Sequence, residues 1–127
     1  MTYSNLANDR QFSKTKMPRN TLEVVSDGCI GFRYDVTCEL GSKYKLFAYF
    51  NGSRYRVLVI HPEVERSVGW DPALMHASHV LPDGSICLEP TMQGCRTLEE
   101  AFAKSVLWAN GYSIYVHTGR FPYNATN

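Results

Sequence analysis

The stretch Tyr44-Lys45-Leu46-Phe47-Ala48-Tyr49-Phe50-Asn51-Gly52-Ser53-Arg54-Tyr55-Arg56-Val57-Leu58-Val59-Ile60 decides the fold class. Two β-prone runs, Tyr44 to Phe50 and Tyr55 to Ile60, flank Asn51-Gly52-Ser53-Arg54. Asn-Gly between such runs is the strongest short-range hairpin signal, because both residues tolerate the positive φ that tight hairpins need. His61-Pro62 closes the second run, since proline brings no N–H to a central ladder.

Upstream, Cys29 to Leu40 is β-rich, with apolar Ile30, Phe32, Tyr34 and Val36 alternating against smaller or polar residues. That period of two is the pattern of a half-buried strand. Gly41-Ser42 marks the turn after it. Ser26-Asp27-Gly28 marks the break before it, and Leu22-Glu23-Val24-Val25 reads as one more strand. The first half is therefore expected to be an antiparallel meander of three or four strands. Residues 1–20 are polar and weakly patterned, and read as an N-terminal arm or one short helix. The basic residues between Arg10 and Arg19 read as its solvated face.

Downstream, residues 61–96 are rich in Pro, Gly and Asp and read as a long loop. A loop of that length inside a compact domain tends to carry function. Thr97-x-x-Glu100 then opens a helix with a capping box. Leu98, Ala101, Phe102, Ser105, Ala109, Tyr112 and Val116 recur at helical spacing, a face laid on the sheet. The helix is expected to end near Thr118-Gly119. Gly111 weakens its middle by about 1 kcal/mol relative to alanine, so packing must matter there. Strands followed by a helix give an α+β class, and 127 residues argue for one domain over 1–127.

A net charge of +1 gives no electrostatic case for a nucleic-acid or membrane-surface partner. No apolar run approaches the roughly 18 residues of a membrane span, and Met1 to Met17 lacks a signal-peptide core. A cytoplasmic chain is expected, so the sequons at Asn51 and Asn124 carry no meaning. No Gly-x-x-x-x-Gly-Lys loop is present, so ATP-driven activation of a carboxylate is not expected from this chain.

The chemistry centres on His79-Val80-Leu81-Pro82-Asp83-Gly84-Ser85-Ile86-Cys87-Leu88, in which a cysteine follows a Pro-Asp-Gly turn and a histidine lies eight residues upstream. A thiolate attacks acyl carbon or holds an acyl group as a thioester. His79 is placed to act as base or to stabilise an oxyanion, and His76 is a possible assistant. Asp83 and Ser85 read as turn residues. Cys29 and Cys38 fall in strands and read as small buried hydrophobes. Cys95, just before the helix, is the second candidate thiol, by way of the helix dipole or a disulfide to Cys87. A zinc site of His76, His79, Cys87 and Cys95 fits no common finger spacing, and no Cys-x-x-Cys pair exists. His61 and His117 read as structural. No metal or cofactor is expected.

The meander, the proline-bearing loop, Gly84-Ser85-Ile86-Cys87-Leu88 and the following helix together resemble the core of a ubiquitin-conjugating enzyme over roughly residues 22–118. The resemblance implies a UBC-like fold, truncated at its C-terminal end relative to the eukaryotic members. It also implies that Cys87 carries a modifier's C-terminus as a thioester and passes it to an amine. The eukaryotic family's His-Pro-Asn element is missing; the position of its asparagine, eight residues before the cysteine, is held by His79. That histidine, with Gly119-Arg120-Phe121-Pro122, is similar to the bacterial conjugating-enzyme-like proteins of short type II CBASS antiphage operons. In those, the implied acyl donor is the C-terminus of a cGAS/DncV-like nucleotidyltransferase and the acceptor is a protein amine. Two other readings use the same residues: a non-catalytic binding module of that fold, and a small Cys87/His79 hydrolase.

Overall fold

The computed structural model describes residues 6–26, 28–64, 79–81, 83–86 and 94–122. Helix α1 (Leu6–Thr15) is followed by strands β1 (Leu22–Ser26), β2 (Cys29–Thr37), β3 (Lys43–Phe50) and β4 (Tyr55–His61), and then by helix α2 (Leu98–Thr118). The strands form one antiparallel sheet in sequential order. The α+β meander expected from the alternation is thus present, with four strands. The Asn51 side chain closes the β3–β4 hairpin by accepting from the amides of Ser53 and Arg54 at 3.0 and 2.8 Å, with Gly52 at φ 99°.

Alternation decides which face is buried. Phe32, Tyr34 and Val36 on β2, Tyr44, Leu46 and Ala48 on β3, and Tyr55 and Val57 on β4 pack under α2. From α2 come Leu98, Ala101, Trp108, Ala109 and Tyr112. Trp108 is fully buried and meets the Tyr44 ring edge-on at 5.6 Å. It was not among the residues assigned to the buried face, although the spacing of three and four from Leu98 through Ala101 and Ser105 passes through it. Val116 was assigned there and is 61 % exposed, because the last turn of α2 runs out into solvent. Tyr34 and Ser105 supply a buried polar link in this layer. The Ser105 hydroxyl donates to the Phe102 carbonyl at 2.7 Å, so the Tyr34 hydroxyl donates to Ser105 at 2.6 Å. Burial pushes the Tyr34 phenol above its ordinary range.

The ends of α2 follow the sequence signals with one change. Thr97 caps the start, its hydroxyl accepting from the Glu100 amide at 3.2 Å. The Leu98 amide, one of the donors a helix leaves unpaired, is served by Asp9 of α1 at 3.3 Å, an acceptor that the capping box does not include. Gly119, at φ 79°, ends the helix and donates to the Tyr115 carbonyl at 2.7 Å. Residues 1–20 therefore hold a short helix that docks: Asp9 is 3 % exposed, and Phe12 meets Phe102 edge-on at 6.0 Å. Arg10 does not lie on a free arm but grips Glu23 of β1 through two bonds of 2.9 and 2.8 Å, which hold the Glu23 carboxyl below its ordinary range.

Replacing Asp9 by alanine strips the Leu98 amide of its acceptor. Asp9→Ala is expected to cost about 1–2 kcal/mol, the value of a lost helix cap. A urea titration should show a lower midpoint with an unchanged m-value. An unshifted midpoint would mean that α1 caps nothing.

Candidate functional site

The segment read as a long loop is partly sheet where it is described. Val80 bridges Ile86 and Ser85 bridges Leu58 of β4, both antiparallel. The Leu81 amide donates to the Ser85 carbonyl at 2.7 Å and the Gly84 amide to the Leu81 carbonyl at 2.9 Å. This is a three-residue hairpin loop, and its last position must be left-handed. Gly84 sits there at φ 88°. The same pair of bonds closes the β2–β3 turn, from Cys38 to Ser42 and from Gly41 to Cys38, at 2.7 and 2.9 Å with Gly41 at φ 90°.

Side chains then lock the hairpin to β4. The Asp83 carboxylate accepts from the Ser85 amide at 2.9 Å and from the Ser85 hydroxyl at 2.6 Å. The Arg56 guanidinium donates to the Ser85 hydroxyl at 2.8 Å and lies 3.6 Å from Asp83. Ser85 is fully buried, so its hydroxyl needs both partners. Asp83 and Ser85 thus have the turn roles expected for them. Arg56 was not anticipated; its only sequence signal is a lone cation inside a β-run.

Beyond the hairpin, the Ile86 amide donates to the Val57 carbonyl at 2.9 Å. Cys95 rejoins the same strand edge two residues away. Its amide donates to the Tyr55 carbonyl at 2.8 Å, and its carbonyl accepts from the Tyr55 amide at 2.6 Å. Gly94 makes this approach possible: at φ 103°, a Cβ there would stand 2.2 Å from the Tyr55 carbonyl oxygen.

His79 precedes the hairpin and is 6 % exposed. At φ 57° it is the one described non-glycine residue in the left-handed region. Such a residue costs of order 1–3 kcal/mol and persists only where its surroundings hold it. Its ring rests on Phe121 with centroids 4.2 Å apart. Phe121 reaches it because Gly119 turns the chain out of α2. Cys87 and His76 lie outside the described residues.

The other cysteines separate clearly. Cys29, expected to be buried, is exposed, because it belongs to the last residue pair before the β1–β2 turn. Cys38 is buried as expected, and that burial, with Glu39 nearby, pushes its thiol up to about 11. Cys95, the second candidate thiol, is 1 % exposed, beyond reach of an acyl group arriving from solvent. Among the described residues no three or more His, Cys, Asp or Glu side chains gather so as to hold a metal ion. His117 lies in the last turn of α2, its Nδ1 2.8 Å from the Ser113 carbonyl. No described helix is long and apolar enough to cross a membrane.

Two measurements check this arrangement. Partial burial raises the Asp83 carboxyl, but the two Ser85 bonds and Arg56 outweigh it and hold the group below 3.8. Its stabilisation of the hairpin is then complete above the unfolded value and is lost as pH falls through the lower folded one. The carboxylate is half exposed, so the effect is small. The Ser85 amide resonance should titrate with a midpoint below 3.8, and Arg56→Leu should raise that midpoint. A midpoint at or above 3.8 in the unaltered protein would contradict the network. For the thiols, a shift from 9.0 to about 11 leaves Cys38 with about 100-fold less thiolate near neutral pH than an ordinary cysteine. Iodoacetamide on the native protein should therefore modify Cys29 long before Cys38 or Cys95, and mass spectrometry reads the order.

No protein-family model, curated protein or solved structure matches this chain.

Proposed function

We propose that this chain is a transthiolating acyl carrier of the ubiquitin-conjugating kind, with Cys87 as the carrier and His79 beside it. The observation that carries the reading is the anchoring of Ile86. Its amide is bonded to Val57, its partner across the hairpin is Val80, and its side chain is 2 % exposed. Cys87 is the next residue in the sequence after this fixed point on the sheet edge. His79 takes the equivalent place on the other arm, one residue before Val80.

The chemistry needs little more. The Cys87 thiolate attacks the carbonyl of an activated acyl group; the S–C bond forms and the donor's leaving group departs. An acceptor amine then attacks the thioester carbon, the C–S bond breaks, sulfur leaves as thiolate, and the ammonium proton passes to a base or to water. A donor at the developing oxyanion stabilises both tetrahedral states, and a ring held against Phe121 is suited to that task. Lacking a phosphate-binding loop of the Gly-x-x-x-x-Gly-Lys type, the chain receives its acyl group already activated. The donor we propose is the C-terminus of a cGAS/DncV-like nucleotidyltransferase, and the acceptor is a protein lysine.

Incubation with the activated donor should give a covalent adduct that thiols and hydroxylamine cleave. Cys87→Ala should abolish it, and Cys87→Ser should leave an ester that thiols spare. His79→Ala should slow transfer to an amine by about 100-fold, the typical loss of one oxyanion donor, with less effect on loading. An adduct on the alanine variant would refute the role of Cys87. Release of the acyl group to water in preference to an amine would indicate a hydrolase. Tight complex formation indifferent to Cys87→Ser and His79→Ala, with no adduct, would make this a binding module.

A further inference from the structure

A second feature lies at the opposite end of the sheet from the β3–β4 turn. There the linker after α1 wraps past the strands and leaves an open cleft of about 470 Å³, lined by Pro18, Arg19, Asn20, Asp35, Thr37, Lys43, Tyr44, Lys45 and His61. That volume is in the range of small-ligand sites. Lys43 and Lys45 are two residues apart on β3 and therefore share its outer face. The register places Asp35 of β2 and His61 of β4 on either side of Lys45, and Thr37 opposite Lys43.

The charges in this cleft are unbalanced. Asp35 is its one acidic side chain among the described residues, and it is already engaged, accepting from the Asn20 amide group at 2.6 Å. Against it stand Arg19, Lys43 and Lys45, leaving two positive charges in surplus before His61 is considered. Among the described residues no carboxylate stands within 4.0 Å of the Arg19, Lys43 or Lys45 cation. The arrangement is unusual for a chain whose overall charge is only +1. Like charges sharing one face repel each other, so the sheet holds an unfavourable cluster that an anion would relieve.

We infer that this cleft is an anion site for a phosphate-bearing small molecule, distinct from the Cys87 region and independent of its proposed chemistry. A surplus of two charges matches a dianion. The Arg19 guanidinium supplies the planar fork that suits two phosphate oxygens, the lysines supply point charges, and the Thr37 hydroxyl and His61 ring supply further polar contacts.

Amide NMR titration with sodium pyrophosphate at constant ionic strength tests the site, with a parallel titration by a nucleoside 5′-diphosphate. Saturable shifts confined to residues 19–20, 35–37, 43–45 and 61 are expected at millimolar ligand. Lys43→Ala with Lys45→Ala should weaken binding by about tenfold or more, and Arg19→Lys should weaken it although the charge is kept. Tighter binding of the nucleotide would identify a nucleotide phosphate as the source, and equal or tighter binding of pyrophosphate a free phosphate compound. These side chains are exposed, so unchanged resonances elsewhere verify that the variants fold. Shifts matched by sodium chloride, unaltered affinity in the double variant, or saturable binding of an acidic peptide with pyrophosphate silent would overturn the assignment.

Discussion

The outer edge of β4 is the constraint on which the rest depends. A strand edge presents N–H and C=O groups that must be hydrogen-bonded by something. Here Val57 is answered by Ile86 and Tyr55 by Cys95, residues nine apart in the chain whose partners are only two apart along the strand. Meeting that requirement fixes Ile86 and Cys95 on the edge. It also fixes the start of α2, since Cys95 and the Thr97 cap are two residues apart. The hairpin at Leu81–Ser85 is the means by which the chain arrives at the edge in the correct direction, and the Arg56–Ser85–Asp83 network keeps it there.

Rigidity is distributed accordingly. The hairpin is held by backbone bonds and by a fully buried hydroxyl with a donor and an acceptor. His79 is held by packing, in a backbone conformation that costs energy, through a ring contact with a residue beyond the C-terminal end of α2. A side chain positioned that way has little further freedom to lose, which is what the role proposed for His79 requires. The cation cluster on the outer face of the sheet draws on nothing from this region. The two features therefore respond to different variants.

Much of this was legible along the chain. Alternation in Ile30 to Val36 reports the buried face of β2 because successive strand side chains point to opposite sides. Asn51-Gly52 and Pro82-Asp83-Gly84 report turns, because left-handed positions favour glycine. Thr97 and Gly119 report the limits of α2. Less legible were features that depend on what lies opposite. Cys29 and Ile30 look alike in a strand pattern, yet Cys29 faces solvent because it ends its hairpin. Val116 continues the helical spacing, but the last turn of α2 runs into solvent. A weakly patterned N-terminal segment hides a helix whose Asp9 serves an amide 89 positions away.

For the candidate site the division is similar. Residue types and local spacing were enough to single out His79 and Cys87 and to assign Asp83 and Ser85 to a turn, since those inferences need only covalent connectivity and turn geometry. No spacing rule could reveal Arg56 on Ser85, Phe121 on His79, or Arg19 beside Lys43 and Lys45. Each joins segments whose separation along the chain bears no relation to their distance in space. Sequence alone determined the elements, the turns and the chemistry on offer. Tertiary structure decided which of those groups meet, because only the pairing of β4 and the packing of α1 and α2 bring distant residues within reach of one another.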